Sequence, residues 1–139
     1  LLDYAGIATD HVAIRTSYYE GIAETAETVQ VHGLGYLIRK INRDDSLLIV
    51  DDVLDSGKSI EAVITDLRAR CRRNMPSDLR VATCWYKPTK NETGRVPDYF
   101  VHQTDQWLVF PHELQGLSAK EVCDGKPDIS DIVMALGLK

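Results

Sequence analysis

The chain has 139 residues, of which 44% are hydrophobic and 27% charged, a composition typical of a soluble globular protein with one domain over residues 1–139. Its 16 basic and 21 acidic residues give a net charge of -5, which provides no general attraction to nucleic acid or to anionic membranes. We therefore expect neither kind of partner, and any phosphate must be bound by a local arrangement of residues.

Cysteine content and hydropathy indicate the compartment. Cys71, Cys84 and Cys123 are odd in number and lack CxxC spacing, which argues against a disulfide framework or a thiolate zinc site. No apolar run is long enough to span a membrane, and the N-terminus lacks the pattern of a secretion signal. These features predict a cytoplasmic protein.

The N-terminal part of the sequence contains few strong signals. A strand is predicted over residues 12–14, and residues 16–32 are polar and poorly periodic, which is typical of a long loop. Loops of that length often serve as lids. Gly33 and Gly35 match only part of the dinucleotide-binding fingerprint, so that class of protein is not favoured.

The middle of the sequence predicts a βαβ unit. Residues 47–50 (LLIV) are a continuous apolar run, typical of a strand buried on both faces of a parallel sheet and ended by the carboxylates that follow. Apolar residues then recur at helical spacing from Ile60 to Cys71, and a second strand is predicted over residues 79–86. Parallel sheets of this kind bind ligands at the carboxyl ends of their strands. Downstream, we predict two short strands and two helices: residues 98–101, residues 107–110, a helix that begins at Ser118, and residues 129–136.

Residues 51–59 (DDVLDSGKS) carry the clearest chemical signal, because three carboxylates precede a small-residue loop that opens into the predicted helix. Such a loop can point backbone N–H groups at a phosphate, while Ser56 and Ser59 donate from their hydroxyls and the helix N-terminus adds partial positive charge. The carboxylates would repel that phosphate, and they are suited to accept hydrogen bonds from sugar hydroxyls or to hold magnesium through water. The pattern therefore predicts a sugar phosphate ligand. A P-loop nucleotide site is disfavoured, because Asp52 stands where the Walker A pattern requires glycine.

Residues 48–59 resemble the phosphoribosyl pyrophosphate binding motif of type I phosphoribosyltransferases: an apolar strand, an acidic pair, two apolar residues and then Asp-Ser-Gly-Lys-Ser. The resemblance to the 6-oxopurine members, the hypoxanthine, guanine and xanthine phosphoribosyltransferases, extends over residues 12–113. It implies an α/β fold with a mainly parallel, twisted sheet flanked by helices, a mobile lid loop and a small base-binding hood. It also rests on three shorter matches: Ser17-Tyr18, Lys87-Pro88 after a strand, and residues 105–108 (DQWL) before Phe110-Pro111.

The resemblance implies roles within the motif. Asp51 and Asp52 would bind the ribose hydroxyls of the substrate, and Asp55 would be the catalytic residue, beside N7 of the purine, where it would manage the proton. Loss of pyrophosphate from the anomeric carbon builds positive charge on the ribose ring, which a nearby carboxylate stabilises. The 5′-phosphate would be held by four residues of the loop: Ser56, Gly57, Lys58 and Ser59.

The resemblance also implies a base site, a metal ligand and a lid. Lys87 would donate to O6 of the purine, Trp107 would stack on the base, and the backbone of Leu108 would contact the purine edge. Magnesium would neutralise the departing pyrophosphate, and Glu113 would help to bind it. Three lid residues would face pyrophosphate: Arg15, Ser17 and Tyr18.

The activity implied by the resemblance is purine salvage. A 6-oxopurine base (hypoxanthine, guanine or xanthine) is joined to 5-phosphoribosyl 1-pyrophosphate, giving the nucleoside monophosphate and pyrophosphate, with Mg²⁺ as cofactor and a homo-oligomer as the expected assembly. Two alternatives stay open: a non-catalytic regulator of the same fold that senses nucleotide or phosphoribosyl pyrophosphate, and a transferase for another base, such as adenine or a pyrimidine. Asp55, Lys87 and Trp107 together favour an enzyme, because a sensor of the sugar phosphate alone needs no base pocket.

The beginning of the chain departs from the family pattern. Family members carry a further strand and a glycine-containing loop that grips pyrophosphate, both of them before the strand at residues 12–14. Here residues 1–6 resemble the tail of the helix that follows that loop, and the first residue is Leu1 rather than Met. We therefore expect the N-terminal strand and loop to be missing, and little transfer activity from these 139 residues alone.

Overall fold

The computed structural model describes residues 2, 4–19, 28–108, 110 and 120. The chain has two compact units, Leu1–Asp105 and Gln106–Lys139. Among the described residues, no helix has the length and apolarity needed to cross a membrane. The described elements are the strands β1 (Arg15–Tyr19) and β2 (Thr28–His32), the helix α1 (Gly35–Lys40), the strand β3 (Ser46–Leu54), the helix α2 (Lys58–Cys71) and the strands β4 (Asp78–Tyr86) and β5 (Tyr99–Gln103).

The first residues turn in the manner of a helix end. The N–H of Ile7 donates to the carbonyl of Leu2 at 3.0 Å, across Gly6 with a φ of 72°. A left-handed glycine spanned by such a bond is the Schellman motif, which commonly ends a helix. This geometry agrees with the likeness of residues 1–6 to a helix tail.

β1 and β2 form an antiparallel hairpin in which Arg15 lies opposite His32. The prediction of a loop over residues 16–32 is therefore wrong for these two strands. They contain β-branched and aromatic residues that favour strands, but they are mostly polar, so no apolar run marks them. The strand predicted over residues 12–14 is also wrong, because pairing begins at Arg15. After His32 the chain turns at Gly33 (φ 95°) into α1. β2 therefore ends at His32 and has no residues that could pair with residues 12–14.

α1 is a helix of six residues that the sequence analysis missed. Six residues make fewer than two turns, which is too short for an apolar helical period to be recognised. Leu34 and Ile41 flank the helix and are both buried, so its two ends are anchored in the core. Arg39 and Lys40 in the last turn suit the negative end of the helix dipole.

The predicted βαβ unit is confirmed. β3 and β4 pair in parallel, with Ile49 opposite Val81, and α2 connects them. β5 adds a third parallel strand and gives the sheet order β3-β4-β5. Full burial of an aliphatic side chain stabilises a protein by roughly 1.5–3 kcal/mol, so the apolar stripe of α2 contributes strongly to the core. That stripe consists of Ile60, Val63, Ile64, Leu67 and Cys71.

β3 differs from its prediction in length and in exposure. The strand does not end at the carboxylates but continues through Asp51 to Leu54, because β4 offers backbone partners along its whole length. Within the described chain, α2 covers one face of the sheet. Ile49 on that face is buried, whereas Leu48 and Val50 are 47% and 70% exposed. The expectation of burial on both faces is therefore wrong for this strand.

The predictions downstream of β4 have mixed outcomes. The strand predicted over residues 98–101 is confirmed as β5, which begins and ends slightly later. The prediction of a strand over residues 107–110 is wrong, because residues 107, 108 and 110 belong to no strand. These residues are apolar, but no described strand pairs with them. The helices predicted from Ser118 and over residues 129–136 lie outside the described residues.

Candidate functional site

The predicted site residues follow neighbouring strands at one edge of the sheet. Asp55 follows β3 and Lys87 follows β4, and the N–H of Lys87 donates to the carbonyl of Leu54 at 3.0 Å. After β5, the N–H of Thr104 donates to the carbonyl of Tyr86 at 3.0 Å. Because the three strands are parallel, their carboxyl ends form one edge, and open α/β sheets bind their ligands at such an edge.

Gly57 gives residues 55–59, here called the phosphate loop, their tight turn. Its φ of 81° lies in the left-handed region, where residues other than glycine are strained. A Cβ at this position would also collide with the hydroxyl of Thr93 and would lie 3.3 Å from Oδ1 of Asn91. The backbone conformation and the surroundings therefore both require glycine.

The start of α2 presents backbone N–H groups beside this turn. The N–H of Lys58 lies 3.4 Å from Oγ of Ser56, and the N–H of Glu61 makes a helical bond to the carbonyl of Gly57 at 3.0 Å. The N–H groups in the first turn of a helix have no carbonyl of a preceding turn to bind. Together with the helix dipole, they make this end of α2 favourable for an anion.

The ammonium of Lys58 lies 2.8 Å from the carboxylate of Glu92, in the segment between β4 and β5. The resemblance assigns Lys58 to the 5′-phosphate. The structure places its backbone in the phosphate loop and directs its charge to Glu92. Both side chains are substantially exposed, so the pair stabilises the fold by no more than about 1 kcal/mol.

A pocket beside α2 brings together polar residues from three elements: Thr16, Asp51 and Ser59. The hydroxyl of Tyr18 lies 3.5 Å from that of Ser59, so β1 lies close to the start of α2. Thr16 was not predicted as a site residue, because its position depends on how the hairpin packs against α2.

The three predicted lid residues have different surroundings. Tyr18 is brought to the phosphate loop, as its 3.5 Å approach to Ser59 shows. Ser17 instead lies 3.4 Å from Nε2 of His32 in the neighbouring strand. Arg15 is exposed at the end of the hairpin. Of the lid residues, Tyr18 is therefore the one whose polar atom the structure places at the candidate site.

Asp51 lies on β3 opposite Thr83, and it accepts a hydrogen bond from the N–H of Asp52 at 3.0 Å. The surrounding protein keeps water from part of its carboxylate, and this raises the pKa of Asp51; the bond from Asp52 opposes the change and the charge of Asp52 adds to it. A partly desolvated carboxylate gains most from a cation or from hydroxyl donors. Asp52, which points to the other face of the strand, does not line the pocket.

Thr83 is a further polar residue that the sequence analysis missed. Its side chain is buried, and its hydroxyl has no hydrogen-bond partner within the described part of the chain. Thr83 is the register partner of Asp51 on the neighbouring strand. The signal is absent from the sequence because it depends on the pairing of β3 with β4.

Lys87 and Asp55 form an ion pair, with Nζ of Lys87 at 2.7 Å from Oδ2 of Asp55. The side chain of Lys87 is only 6% exposed, and a buried ammonium requires a charged or polar partner. Asp55 is 45% exposed, so its carboxylate faces both the ammonium and the solvent. The structure therefore brings together the residue predicted for catalysis and the one predicted for the base.

Asp105 supports the turn that follows Lys87. Its carboxylate accepts a hydrogen bond from the N–H of Thr89 at 3.0 Å. Hydrogen bonds from the side chain and the backbone of Thr89 lower the pKa of Asp105. This residue therefore ties the turn after Lys87 to the end of β5.

The remaining predicted residues lie in the second unit or outside the described residues. Trp107 is 81% exposed, which excludes a core position among the described residues; its stacking on a base stays a prediction. Leu108 is half-buried, and the contact of its backbone with a purine also stays a prediction. Glu113 lies outside the described residues.

Asp51 has the chemistry that magnesium requires. Mg²⁺ prefers carboxylate oxygens and water, and it usually takes one or two carboxylates together with substrate phosphates. Asp51 offers one carboxylate to the pocket, and because this carboxylate is partly desolvated it would gain from a cation. Where the chain is described, no group of three or more His, Cys, Asp or Glu side chains could hold a metal alone. The residues present therefore fit a magnesium ion held jointly with a phosphorylated substrate.

The chain is similar to known proteins in sequence and in structure. The family model for the phosphoribosyl transferase domain matches residues 3–117. No curated protein matches the chain. The family match covers most of the sequence and includes the acidic pair, the phosphate loop and Lys87. The chain therefore belongs to the phosphoribosyl transferase domain family.

Solved structures share this fold. A purine phosphoribosyltransferase from Pyrococcus horikoshii Ot3 is 30% identical, with a TM-score of 0.55 over 75% of this chain and 61% of that one. A hypoxanthine phosphoribosyltransferase from Staphylococcus aureus is 18% identical, with a TM-score of 0.55 over 76% and 57%. A hypothetical protein from Neisseria gonorrhoeae with bound ppGpp is 18% identical, with a TM-score of 0.59 over 94% and 71%. The predicted type I phosphoribosyltransferase fold is confirmed, and the chain spans 61% and 57% of the length of the first two proteins.

Proposed function

We propose that the protein transfers the phosphoribosyl group of 5-phosphoribosyl 1-pyrophosphate to a purine base that carries a 6-oxo group. The observation that supports this most directly is the 2.7 Å ion pair of Asp55 and Lys87 at the edge that carries the phosphate loop. A carboxylate beside an ammonium offers one acceptor and one donor to the edge of a planar base. A protein that binds only a sugar phosphate has no need of this pair.

In the proposed reaction, the bond between the anomeric carbon and pyrophosphate breaks, and a bond from that carbon to N9 of the purine forms. Positive charge develops on the ribose ring as pyrophosphate leaves, and a carboxylate such as Asp55 stabilises it. The proton on N7 of the base is released when N9 reacts, and Asp55 accepts it. Its partial exposure lets the proton pass on to solvent.

The remaining residues bind and orient the sugar phosphate. The phosphate loop directs its backbone N–H groups and the Ser59 hydroxyl to the 5′-phosphate. Asp51 accepts hydrogen bonds from the ribose hydroxyls, and Tyr18 covers the phosphate from the hairpin. Asp51, together with the substrate phosphates, would hold a magnesium ion, which would supply positive charge against the leaving pyrophosphate.

Lys87 selects the base by its hydrogen-bond polarity. An ammonium donates and cannot accept, so it pairs with the O6 carbonyl of hypoxanthine, guanine or xanthine. The 6-amino group of adenine would meet it donor to donor. Lys87 keeps its ion pair with Asp55 whichever base is bound, so the rejection of adenine comes from the lost hydrogen bond to O6 and from the contact between two donors.

A panel of bases tests the proposal. The protein, extended at its N-terminus by the strand and the pyrophosphate loop of the family pattern, is incubated with phosphoribosyl pyrophosphate, magnesium and one base at a time, and nucleotide formation is followed. We expect transfer to at least one of hypoxanthine, guanine and xanthine, and little to adenine or uracil. A preference for adenine or a pyrimidine would refute the base assignment and favour a transferase for another base.

The cytoplasmic location and the homo-oligomer belong to the same proposal, and sedimentation of the active protein tests the assembly.

A non-catalytic nucleotide sensor is the second candidate. It is favoured by the fold shared with the Neisseria gonorrhoeae protein that has bound ppGpp. Calorimetry separates the two functions, because a sensor would bind phosphoribosyl pyrophosphate or a guanine nucleotide tightly and transfer no base. Transfer at any substantial rate would exclude the sensor as the sole function.

A further inference from the structure

The segment between β4 and β5 lies against the phosphate loop. The N–H of Glu92 donates to the carbonyl of Ser56 at 3.0 Å, and its carboxylate pairs with Lys58 at 2.8 Å. Further along, Nε of Arg95 lies 2.9 Å from the carboxylate of Glu61 in the first turn of α2. Residues 91–95, here called the brace, therefore hold both the phosphate loop and the start of the helix that follows it.

The brace also contacts the residue on which the turn depends. The Cα of Gly57 faces Thr93 so closely that an added Cβ would collide with its hydroxyl, and the next nearest atom is Oδ1 of Asn91. Gly57 has a left-handed φ of 81°, and the backbone of a glycine can adopt many other conformations besides this one. Contact with Thr93 and Asn91 of the brace restricts the backbone conformations that are open to Gly57.

Asn91 organises the brace through its side-chain amide. Its Nδ2 donates to the hydroxyl of Tyr86 at 3.2 Å and to the carbonyl of Arg95 at 2.9 Å. Its Oδ1 accepts the N–H and the hydroxyl of Thr93, both at 3.0 Å. These four bonds use both donors and both lone pairs of the amide. Because Tyr86 is buried at the end of β4, Asn91 ties the brace to the core of the sheet.

We propose that Asn91 is a positioning residue for phosphate binding, acting through Thr93 and Glu92 on the phosphate loop. It holds the Thr93 hydroxyl against Gly57 and the Glu92 N–H against the Ser56 carbonyl, and it thereby fixes the curvature that directs the loop N–H groups to a 5′-phosphate. The inference rests on the proposed function in one respect, that the ligand is a sugar phosphate. It adds a residue that lies far from the motif in sequence and that does not touch the ligand.

Asn91→Asp is the critical variant, because it keeps the size and the acceptor oxygen and removes both donors. The two bonds from Nδ2 to Tyr86 and to Arg95 are lost, so the brace is no longer tied to the core although Oδ1 still accepts from Thr93. We therefore expect ribose 5-phosphate, measured by calorimetry, to bind about ten-fold more weakly. The KM for phosphoribosyl pyrophosphate should rise by the same factor, while the ratio of rates for hypoxanthine and adenine should not change. A purely structural role would lower thermal stability without this selective loss of phosphate affinity.

Asn42→Asp is the matched control. Asn42 also donates from its side-chain amide to a turn carbonyl, that of Lys40 at 3.2 Å, but it lies before β3 at the opposite end of the strand from the loop. We expect wild-type affinity for ribose 5-phosphate in this variant. Amide NMR shifts of residues 56–59 should move in Asn91→Asp and should not move in Asn42→Asp.

Thr93→Val and Thr93→Ser keep the inference testable if Asn91→Asp is poorly folded. The valine variant loses the hydroxyl that joins Asn91 to Gly57 and should bind ribose 5-phosphate several-fold more weakly, whereas the serine variant should retain the affinity. Wild-type affinity in folded Asn91→Asp or Thr93→Val protein would overturn the positioning role. Weaker binding in these variants supports it even if the protein transfers no base. Failure of the wild-type protein to bind ribose 5-phosphate would overturn both the phosphate site and the role of the brace.

Discussion

Replacement of Lys87 by methionine separates the role of this side chain in base recognition from its role in the fold. The side chain of Lys87 is 6% exposed and its partner Asp55 is 45% exposed. In Lys87→Met, an apolar chain of similar length fills the buried space, and Asp55 keeps its contact with water. No charge is then both buried and unpaired. Loss of one partner of an ion pair is strongly destabilising when it leaves a buried charge, and Asp55 is not left buried. We therefore expect the free energy of unfolding to change by less than about 1 kcal/mol.

Catalysis should respond much more strongly than stability. A hydrogen bond from a charged donor is worth about 1.5–3 kcal/mol, which corresponds to a factor of roughly 10 to 150. We expect kcat/KM for a 6-oxopurine to fall by that factor in Lys87→Met. Adenine offers no acceptor at position 6, so its kcat/KM should not fall. The ratio of kcat/KM for the oxopurine to kcat/KM for adenine should therefore fall by the same factor in Lys87→Met.

Steady-state kinetics with hypoxanthine and adenine, together with urea denaturation, measure both expectations. Lys90→Met is the matched control, since Lys90 is an exposed lysine in the same turn and its loss should leave kinetics and stability unchanged. If folded Lys87→Met protein kept the full preference for hypoxanthine, Lys87 could not be the donor to O6. If the variant unfolded, the ion pair would be a structural requirement and the estimate of its cost would be wrong.

Three further predictions concern Asp55, Asp98 and Arg72. Asp55→Asn should lower turnover by about 10²- to 10⁴-fold, while calorimetry finds little change in affinity for phosphoribosyl pyrophosphate; a fall of less than about five-fold would exclude a catalytic role. Asp98→Ala should destabilise the protein by about 1–3 kcal/mol, because the buried N–H of Val81 loses its acceptor at 2.8 Å. The Val81 N–H and the Arg80 guanidinium lower the pKa of Asp98 below its ordinary value of 3.8. Asp98 therefore stabilises the protein fully above pH 3.8, and this stabilisation is lost as the pH falls through the pKa of the folded state. Urea titrations should accordingly show a smaller difference between wild type and Asp98→Ala in strong acid. Arg72→Gly should stabilise the protein by about 1 kcal/mol, since Arg72 has a φ of 51°, and a melting temperature no higher than that of the wild type would contradict this strain.

Elements whose signals are local could be predicted from the sequence. Residues 51–59 place carboxylates, small residues and a helix start next to one another, and each of these features acts over only a few residues. The apolar period of α2 and the apolar runs of β3 and β4 are equally local, so the parallel βαβ unit and the position of the phosphate loop followed directly. For the same reason the family could be identified from one motif and its flanking strands.

Contacts between residues that are distant in sequence depend on the tertiary structure. The ion pair of Asp55 and Lys87 joins residues 32 positions apart, and it forms because parallel pairing brings the ends of β3 and β4 to one edge. The hairpin of β1 and β2 was missed because its strands are mostly polar, and backbone pairing and packing on α2 stabilise such strands without an apolar run. The brace at residues 91–95 has no motif, since its hydrogen bonds depend on the position of Gly57 and on the buried end of β4. Exposure of Leu48 and Val50 likewise depends on which face of the sheet α2 covers, and no periodicity within β3 contains that information.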